Sequence, residues 1–338
     1  MAIQSIINNQ SKNPKEIEYL RLHFVAEARE SSVLPSYLGS TLRGALGHAF
    51  RKNSCMAKKN TCNKCMFIKQ CAYAYIFETL RDSIADQEYA VHAHIPHPFI
   101  IEPPELEKRS FLSGETIQFS VVLIGRAREY YPFFIIAFLE ALENGLGKNR
   151  NRFRLLRVEQ RNFGNSIIWN GGNQIVNAPV TEITSFSKTL EPVVKITINT
   201  ITPMRIINKG QLVNELSFEI FIKSVFRRLD LLDKIHGSGQ GLNIPFRDFL
   251  LEAREIEYLP DESHVVWQDW TRFSSRQNTD MQMGGIVGEF SYAGRLNSFL
   301  PWLMAAEALH VGKGTSFGLG RYKIKSYSLK QAINSGNS

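Results

Sequence analysis

All four cysteines of the chain fall within 17 residues, as Cys55, Cys62, Cys65 and Cys71 in the spacing C-x6-C-x2-C-x5-C. A Cys-x2-Cys step lets two thiolates of one tight turn reach the same tetrahedral ion, and two further cysteines complete a four-sulfur shell. The spacing predicts a structural zinc ion with no open coordination position. An iron–sulfur cluster or free thiols are the alternatives, and disulfides are not expected in a reducing compartment. Arg51, Lys52, Lys58, Lys59, Lys64 and Lys69 surround the cysteines. They give this segment a surface suited either to phosphate contact or simply to solubility.

Eight histidines are the second chemical resource. An imidazole, with an ordinary pKa of about 6.5, gives or takes a proton near neutral pH. His48 stands late in a helical pattern, where acid–base work and interaction with the helix C-terminus account for it equally well. His97 lies between Pro96 and Pro98, so a rigid structural turn competes with a chemical role. His310 precedes a glycine-rich run and suits phosphate contact better than proton transfer. His23 belongs to an alternating segment and reads as a core or sheet-face residue.

That glycine-rich run holds Gly312, Lys313, Gly314, Gly318, Gly320 and Arg321. Glycines at this density allow close main-chain approach and can turn amide groups toward a phosphate; a tight packing turn is the competing account. It is not a Walker loop, because it follows a helical pattern and precedes a strand. Forty Lys and Arg against 32 Asp and Glu leave a net charge of +8, which fits a polyanionic partner. Six cations and one acid, Glu159, lie between Lys148 and Arg161. Arg150, Arg152 and Arg154 share one face if this segment is a strand, either against a polyanion or in solvent. Trp267, Trp270 and Phe273 interleave with Arg272 and Arg276, as stacking on single-stranded bases would require. Burial in the core is the alternative.

The elements that position these residues follow from periodicity. Glu18–Ala26 alternates as a strand, and Pro35–Ser36 opens a helix with Leu38, Leu42, Ala45, Leu46 and Ala49 on one face. A short helix over Tyr73–Asp82, a strand over Thr116–Ile124, a helix over Phe133–Glu143, a strand over Phe153–Gln160 and a hairpin around Asn170–Asn173 follow. The order strand, helix, strand, strand, helix, strand then repeats. It runs through Val193–Ile201, the helix Glu215–Lys234, strands near Arg254–Tyr258, Val265–Phe273 and Ile286–Tyr292, the helix Asn297–Leu309 and the strand Gly320–Tyr327. The pattern predicts an α+β chain of two tandem ferredoxin-like (RRM-like) βαββαβ domains, 1–188 and 189–330. The four-cysteine insert (55–71) falls in the first, as a zinc knuckle, and the glycine-rich loop (312–320) in the second. The longest apolar stretch, Phe133–Leu139, is too short to span a bilayer,. No cationic run precedes an apolar core at the N-terminus, so a soluble cytoplasmic protein with no membrane partner is expected.

Several of these segments together resemble the RAMP superfamily of CRISPR-associated proteins, and within it the pre-crRNA-processing endoribonuclease family, Cas6. They are Leu42–His48, the cysteine insert with Ala72–Tyr75 after it, His97-Pro98-Phe99, Thr202–Arg205, Arg272–Gln277, Gly284-Gly285 and the glycine-rich loop. The four-cysteine and Arg272–Arg276 segments resemble one bacterial branch. The loop departs from the superfamily's usual spacing, with three residues between its glycine pairs and Lys313 where an apolar residue is usual.

The resemblance implies RNA bound across both domains and against the loop, and metal-independent cleavage within a CRISPR repeat, pre-crRNA to crRNA. A 2′-hydroxyl attacks the adjacent phosphorus, leaving a 2′,3′-cyclic phosphate and a 5′-hydroxyl. It points to His48 and His97 for proton transfer, with Arg43 or Lys52 stabilising the phosphorane. Arg272, Arg276, Gly312, Lys313, Gly314, Gly318, Gly320 and Arg321 would hold the RNA, and the only metal would be the structural zinc. The alternative is a non-catalytic RAMP subunit that binds crRNA within a multi-subunit CRISPR effector complex.

Overall fold

The computed structural model describes residues 16–57, 62–79, 95–104, 109–162, 165–184, 192–242, 245–274 and 279–329. Two antiparallel sheets, each backed by helices, form two lobes. The first lobe runs β1 (Glu18–Ala28), α1 (Leu38–Ser54), β2 (Phe99–Glu102), β3 (Thr116–Ile124), α2 (Tyr131–Asn144), β4 (Phe153–Gln160) and β5 (Ser166–Trp169), in the sheet order β2-β3-β1-β4-β5. The second runs β6 (Val193–Thr200), α3 (Phe218–His236), α4 (Phe246–Arg254), β7 (His264–Gln268), β8 (Thr271–Ser274), β9 (Thr279–Gln282), β10 (Gly285–Ala293), α5 (Leu300–Glu307) and β11 (Tyr322–Leu329). Its sheet order is β7-β10-β6-β11, and β8 and β9 pair as a separate hairpin. Both lobes thus place the second, third, first and fourth strands of the repeat side by side, a ferredoxin-related α+β arrangement.

Alternation in β1 decides which face is buried. Leu20, Leu22, Phe24 and Ala26 point to α1 and α2 and join Leu42, Leu46, Phe50, Phe134 and Phe138 in one core. On the opposite face Tyr19, with Ile100, Val122 and Ile124 from β2 and β3, belongs to the core of the second lobe, with Phe221, Phe226 and Leu309. The lobes therefore share apolar surface rather than hanging on a linker.

Local chemistry sets the element ends. Pro132 occupies the first turn of α2, where its missing N–H costs nothing,, and Gly145 ends it at φ +92°. Ser217 caps α3, its side chain accepting from the Ile220 N–H at 3.4 Å, so the helix begins after the expected Glu215.

Four expectations are corrected. Val265–Phe273 is not one strand: the chain turns at Asp269–Trp270, and β7 and β8 join different sheets. The antiparallel hairpin is β4–β5, so its turn precedes Asn170–Asn173. The helix over Tyr73–Asp82 contracts to one wide turn, Ala74–Glu78, closed by the Thr79 N–H on the Ala74 carbonyl at 2.8 Å; its last residues lie outside the described ones. Helix α4 was missed beside Pro245, although Phe246, Phe249, Leu250 and Ala253 have helical spacing. The expected boundary at 188 and 189, along with Lys58, Lys59 and Arg276, also lies outside the described residues. Among the described residues no helix is long and apolar enough to cross a membrane.

Candidate active site

A groove of about 2160 Å³ runs between α1, the turn after α2, the base of the β8–β9 hairpin and the glycine-rich loop. Gly39 brings helix and loop together: a Cβ there would stand 1.8 Å from the Phe317 carbonyl oxygen, so any larger residue would push the lobes apart. His48 lies on the exposed face of α1 and lines the groove, with Arg51 and Lys52 one turn further on. Because α1 continues to Ser54, His48 sits outside the last turn, where the helix dipole acts. That weakens the structural account of this residue. Lys52 is paired with Glu140 of α2, which lowers the Glu140 pKa.

Arg43 is the most constrained cation of the groove. Its Nε donates to Ser316 Oγ at 3.1 Å, and its guanidinium lies over the Phe317 ring at 4.5 Å, both in the glycine-rich loop of the other lobe. Its Nη2 is 3.2 Å from His97 Nε2. His97 Nδ1 is in turn 2.9 Å from Thr79 Oγ1. The structure therefore gathers His48, His97, Arg43 and Lys52 on one groove. Tyr37 and Trp270, one from each lobe, also line it, their rings tilted by 37° with centroids 4.5 Å apart. Tyr37 also donates to the Phe317 carbonyl at 2.8 Å.

The loop plays a different part from the one expected of its glycines. The N–H groups of Lys313, Gly318 and Gly320 are taken up by the carbonyls of Arg205, Thr315 and Pro203 at 2.7, 2.8 and 2.9 Å. A Cβ at Gly318 would meet the Ile101 carbonyl oxygen at 2.4 Å, and one at Gly320 the Val311 carbonyl oxygen at 1.8 Å. These two buried glycines are required by backbone approach, so the expectation that they face RNA is corrected. Gly312 likewise abuts the Arg205 carbonyl, while Gly314 takes a left-handed φ of +78°. The Lys313 side chain is exposed, but Phe317 is the loop residue that lines the groove.

His310 is fully buried, with Nδ1 3.1 Å from the Leu319 carbonyl and Nε2 3.2 Å from Glu102. The expected phosphate contact is therefore corrected, because solvent does not reach the ring. Burial lowers the His310 pKa, with the Glu102 bond opposing it. Arg321 turns inward to the same carboxylate at 3.8 Å. Of the basic run, Lys148 and Arg150 line the groove. Arg152 and Arg154 pair with Glu30 and Glu27, and Arg157 and Arg161 with Glu159. Trp270, Thr271 and Met281 also line the groove; Arg272 lies on β8 beside them in sequence.

The cysteines follow α1 directly. The Cys65 N–H donates to the Cys62 carbonyl at 3.1 Å, the tight turn that the Cys-x2-Cys spacing anticipates. Burial raises the Cys62 pKa, and Glu78, Cys71 and Cys55 add to the rise. Among the described residues no three His, Cys, Asp or Glu side chains are gathered closely enough to hold an ion.

Sequence reasoning missed Thr79, Ser316, Phe317 and Tyr37. Thr79 lies 18 residues from His97, and Ser316 273 from Arg43, so neither pair leaves a local signal.

Comparisons with known proteins extend this picture. Residues 17–181 match a family model described as an N-terminal domain, and residues 198–322 match that of the CRISPR-associated endoribonuclease Cas6. No curated protein sequence matches the chain. Among solved structures, a chain of a partial Cas6-RT-Cas1–Cas2 complex is similar with a TM-score of 0.54 and 13% identity, over 94% of this chain and 48% of that one. This chain thus spans about half the length of that relative. Thermus thermophilus Cas6 aligns with a TM-score of 0.50 and 14% identity, over 92% of this chain and 99% of its own. A Cas6 product complex aligns with 0.50 and 17%, over 91% and 100%. At these identities the structures speak for the fold, and the family model speaks for the second lobe. Both lobes thus share the fold of solved Cas6 structures, and residues 198–322 match the Cas6 family model.

Proposed function

We propose that the groove binds CRISPR repeat RNA and cuts it, converting pre-crRNA to crRNA without a catalytic metal. The observation that carries the reading is the exposed His48 on a groove whose wall presents Arg43, clasped by the opposite lobe. The 2′-oxygen bonds to the adjacent phosphorus as its proton leaves. The bond from phosphorus to the 5′-oxygen breaks, and that oxygen takes up a proton. The products are a 2′,3′-cyclic phosphate and a 5′-hydroxyl. His48 is the proton-transfer group, Arg43 and Lys52 offset the charge that builds on the phosphorane, and His97 lines the site beside Arg43. Lys148, Arg150 and the exposed Lys313 add cationic contacts for the strand, and Arg272 and Arg276 are proposed as further RNA contacts from the sequence alone.

The test is cleavage of the repeat RNA in excess EDTA, beside a copy with one 2′-deoxy nucleotide at the cut. The expected result is cutting of the first and not of the second. Tight binding of both without cutting would favour the non-catalytic crRNA-binding subunit instead.

The cysteine segment is proposed as a structural zinc knuckle, with Cys55, Cys62, Cys65 and Cys71 as ligands. The Cys-x2-Cys spacing and the Cys62–Cys65 turn support it. Zinc there would tie the end of α1 to the turn that carries Thr79. Elemental analysis is expected to give about one zinc per chain, and Cys62→Ser with Cys65→Ser to give none and a lower melting temperature. A metal-free wild type with an unchanged melting curve would remove the proposal. We further propose a domain division at 188 and 189. A place in a multi-subunit CRISPR assembly is suggested by the similarity to the Cas6-RT-Cas1–Cas2 chain, and a cytoplasmic location is proposed with it.

A further inference from the structure

Thr79 is a β-branched residue held at φ +42°, in the left-handed region that favours glycine. Glycine or asparagine would adopt that backbone with less strain, so the turn alone gives no reason for a threonine. The hydroxyl gives one. Thr79 Oγ1 is 2.9 Å from His97 Nδ1 and 3.4 Å from the Tyr75 carbonyl oxygen. On the far side of the ring, Arg43 Nη2 stands 3.2 Å from His97 Nε2. An arginine can only donate. Nε2 is therefore the acceptor, and the ring proton lies on Nδ1. Thr79 accepts that proton while donating its own to the Tyr75 carbonyl. One direction runs through the chain of bonds, from Arg43 to His97 to Thr79 to the backbone.

We infer that Thr79 and His97 are positioning residues for Arg43: the hydroxyl fixes the imidazole tautomer, and the imidazole gives the guanidinium a neutral acceptor that aims it at an RNA phosphate in the groove. Ser316 and Phe317 hold the same guanidinium from the other lobe, so its position is set from two sides. The inference rests on the proposed RNA-binding role of the groove and deepens it. It also separates the two histidines. His48 meets the groove from an exposed helix face, whereas the Nε2 lone pair of His97 is engaged by Arg43 and is not offered to the reacting oxygens.

The test has an RNA-free arm and an RNA arm. In protein with ¹⁵N-labelled histidine, His97 is assigned by its loss in His97→Gln. The expected signature is protonation at Nδ1 in the wild type and a shift toward the Nε2-protonated form in Thr79→Val. In the RNA arm, Thr79→Gly deletes the hydroxyl and relieves the backbone. It is expected to keep the wild-type melting temperature yet bind repeat RNA roughly threefold to tenfold more weakly, the loss of one hydrogen bond from a chain that holds a charge. Thr79→Ser should restore binding. His97→Leu should weaken both binding and cutting, and His97→Gln, whose amide oxygen falls near the Nε2 position, should recover most of each. A wild-type His97 protonated at Nε2 would overturn the inference. So would His97→Gln that binds normally but cuts no better than His97→Leu, because His97 would then be a proton-transfer group. A wild type that neither binds nor cuts repeat RNA would sink the role of the groove, while the tautomer would still decide the hydrogen-bond chain.

Discussion

Replacing His48 with alanine is expected to slow single-turnover cleavage of repeat RNA by roughly 10²–10⁴, the range for removing a positioned acid or base, while RNA affinity stays near that of the wild type. The side chain is exposed on α1, and exposed substitutions of this kind shift stability by only about ±0.5 kcal/mol. A loss of rate could then not be ascribed to unfolding. Lys52→Ala should cost much less, because its ammonium is already paired with Glu140 and the charge change is shared between the two. Wild-type cutting by His48→Ala would remove this residue from the chemistry.

The second large effect lies away from the groove. Glu102 of β2 is 3% exposed and lies 3.1 Å from Arg21, 3.2 Å from His310 and 3.8 Å from Arg321. Arg21 belongs to the first lobe, and His310 and Arg321 to the second. Glu102→Ala leaves these groups facing one another without the carboxylate, at a cost of about 3–5 kcal/mol for a broken buried pair. Against the typical 5–15 kcal/mol of a folded domain, that is a large part of the total. Burial alone would raise the Glu102 pKa, but the hydrogen bond from His310 and the charges of Arg21, His310 and Arg321 outweigh it. They hold the carboxyl at about 2 against an ordinary 4.5. A carboxylate depressed in the folded state contributes stability above its unfolded pKa and loses it as pH falls through the folded one. The contribution is therefore complete above about pH 4.5 and fades toward pH 2. Denaturant titrations should show a wide gap between wild type and Glu102→Ala at pH 7 that narrows below pH 4. Equal stability at pH 7 would show that the carboxylate carries none of the interface.

Most of the longer strands and helices were legible because each carries its own periodicity, whereas the short strand Phe99–Glu102 and the helix Phe246–Arg254 were not. The alternation of Leu20, Leu22 and Phe24 and the helical spacing of Leu38, Leu42 and Leu46 need no partner to be read. The groove was legible only in part. Arg43, His48 and His97 were singled out by the family resemblance, but nothing local in the sequence says that Arg43 meets Ser316 or that Thr79 holds His97. The first contact is a product of lobe packing, and the second joins a turn and a Pro-flanked segment within the first lobe. The glycine-rich loop misled in the opposite way. Its composition suits a phosphate as well as a neighbouring carbonyl, and only the positions of the Ile101, Pro203, Arg205 and Val311 carbonyls decide between them. His310 was misplaced for the same reason, because adjacency to the loop in sequence says nothing of the carboxylate at Glu102.

The clasp of Arg43 by Ser316 also has a consequence in time. The two residues are 273 positions apart, so at roughly 5–20 residues per second a ribosome releases the second about 14–55 s after the first. Throughout that interval the nascent first half displays its arginine and histidines without the wall that orients them. On the proposed reading, the groove that would grip and cut RNA is complete only when the last helix and its loop dock, so a chain still being translated lacks the wall that orients these groups.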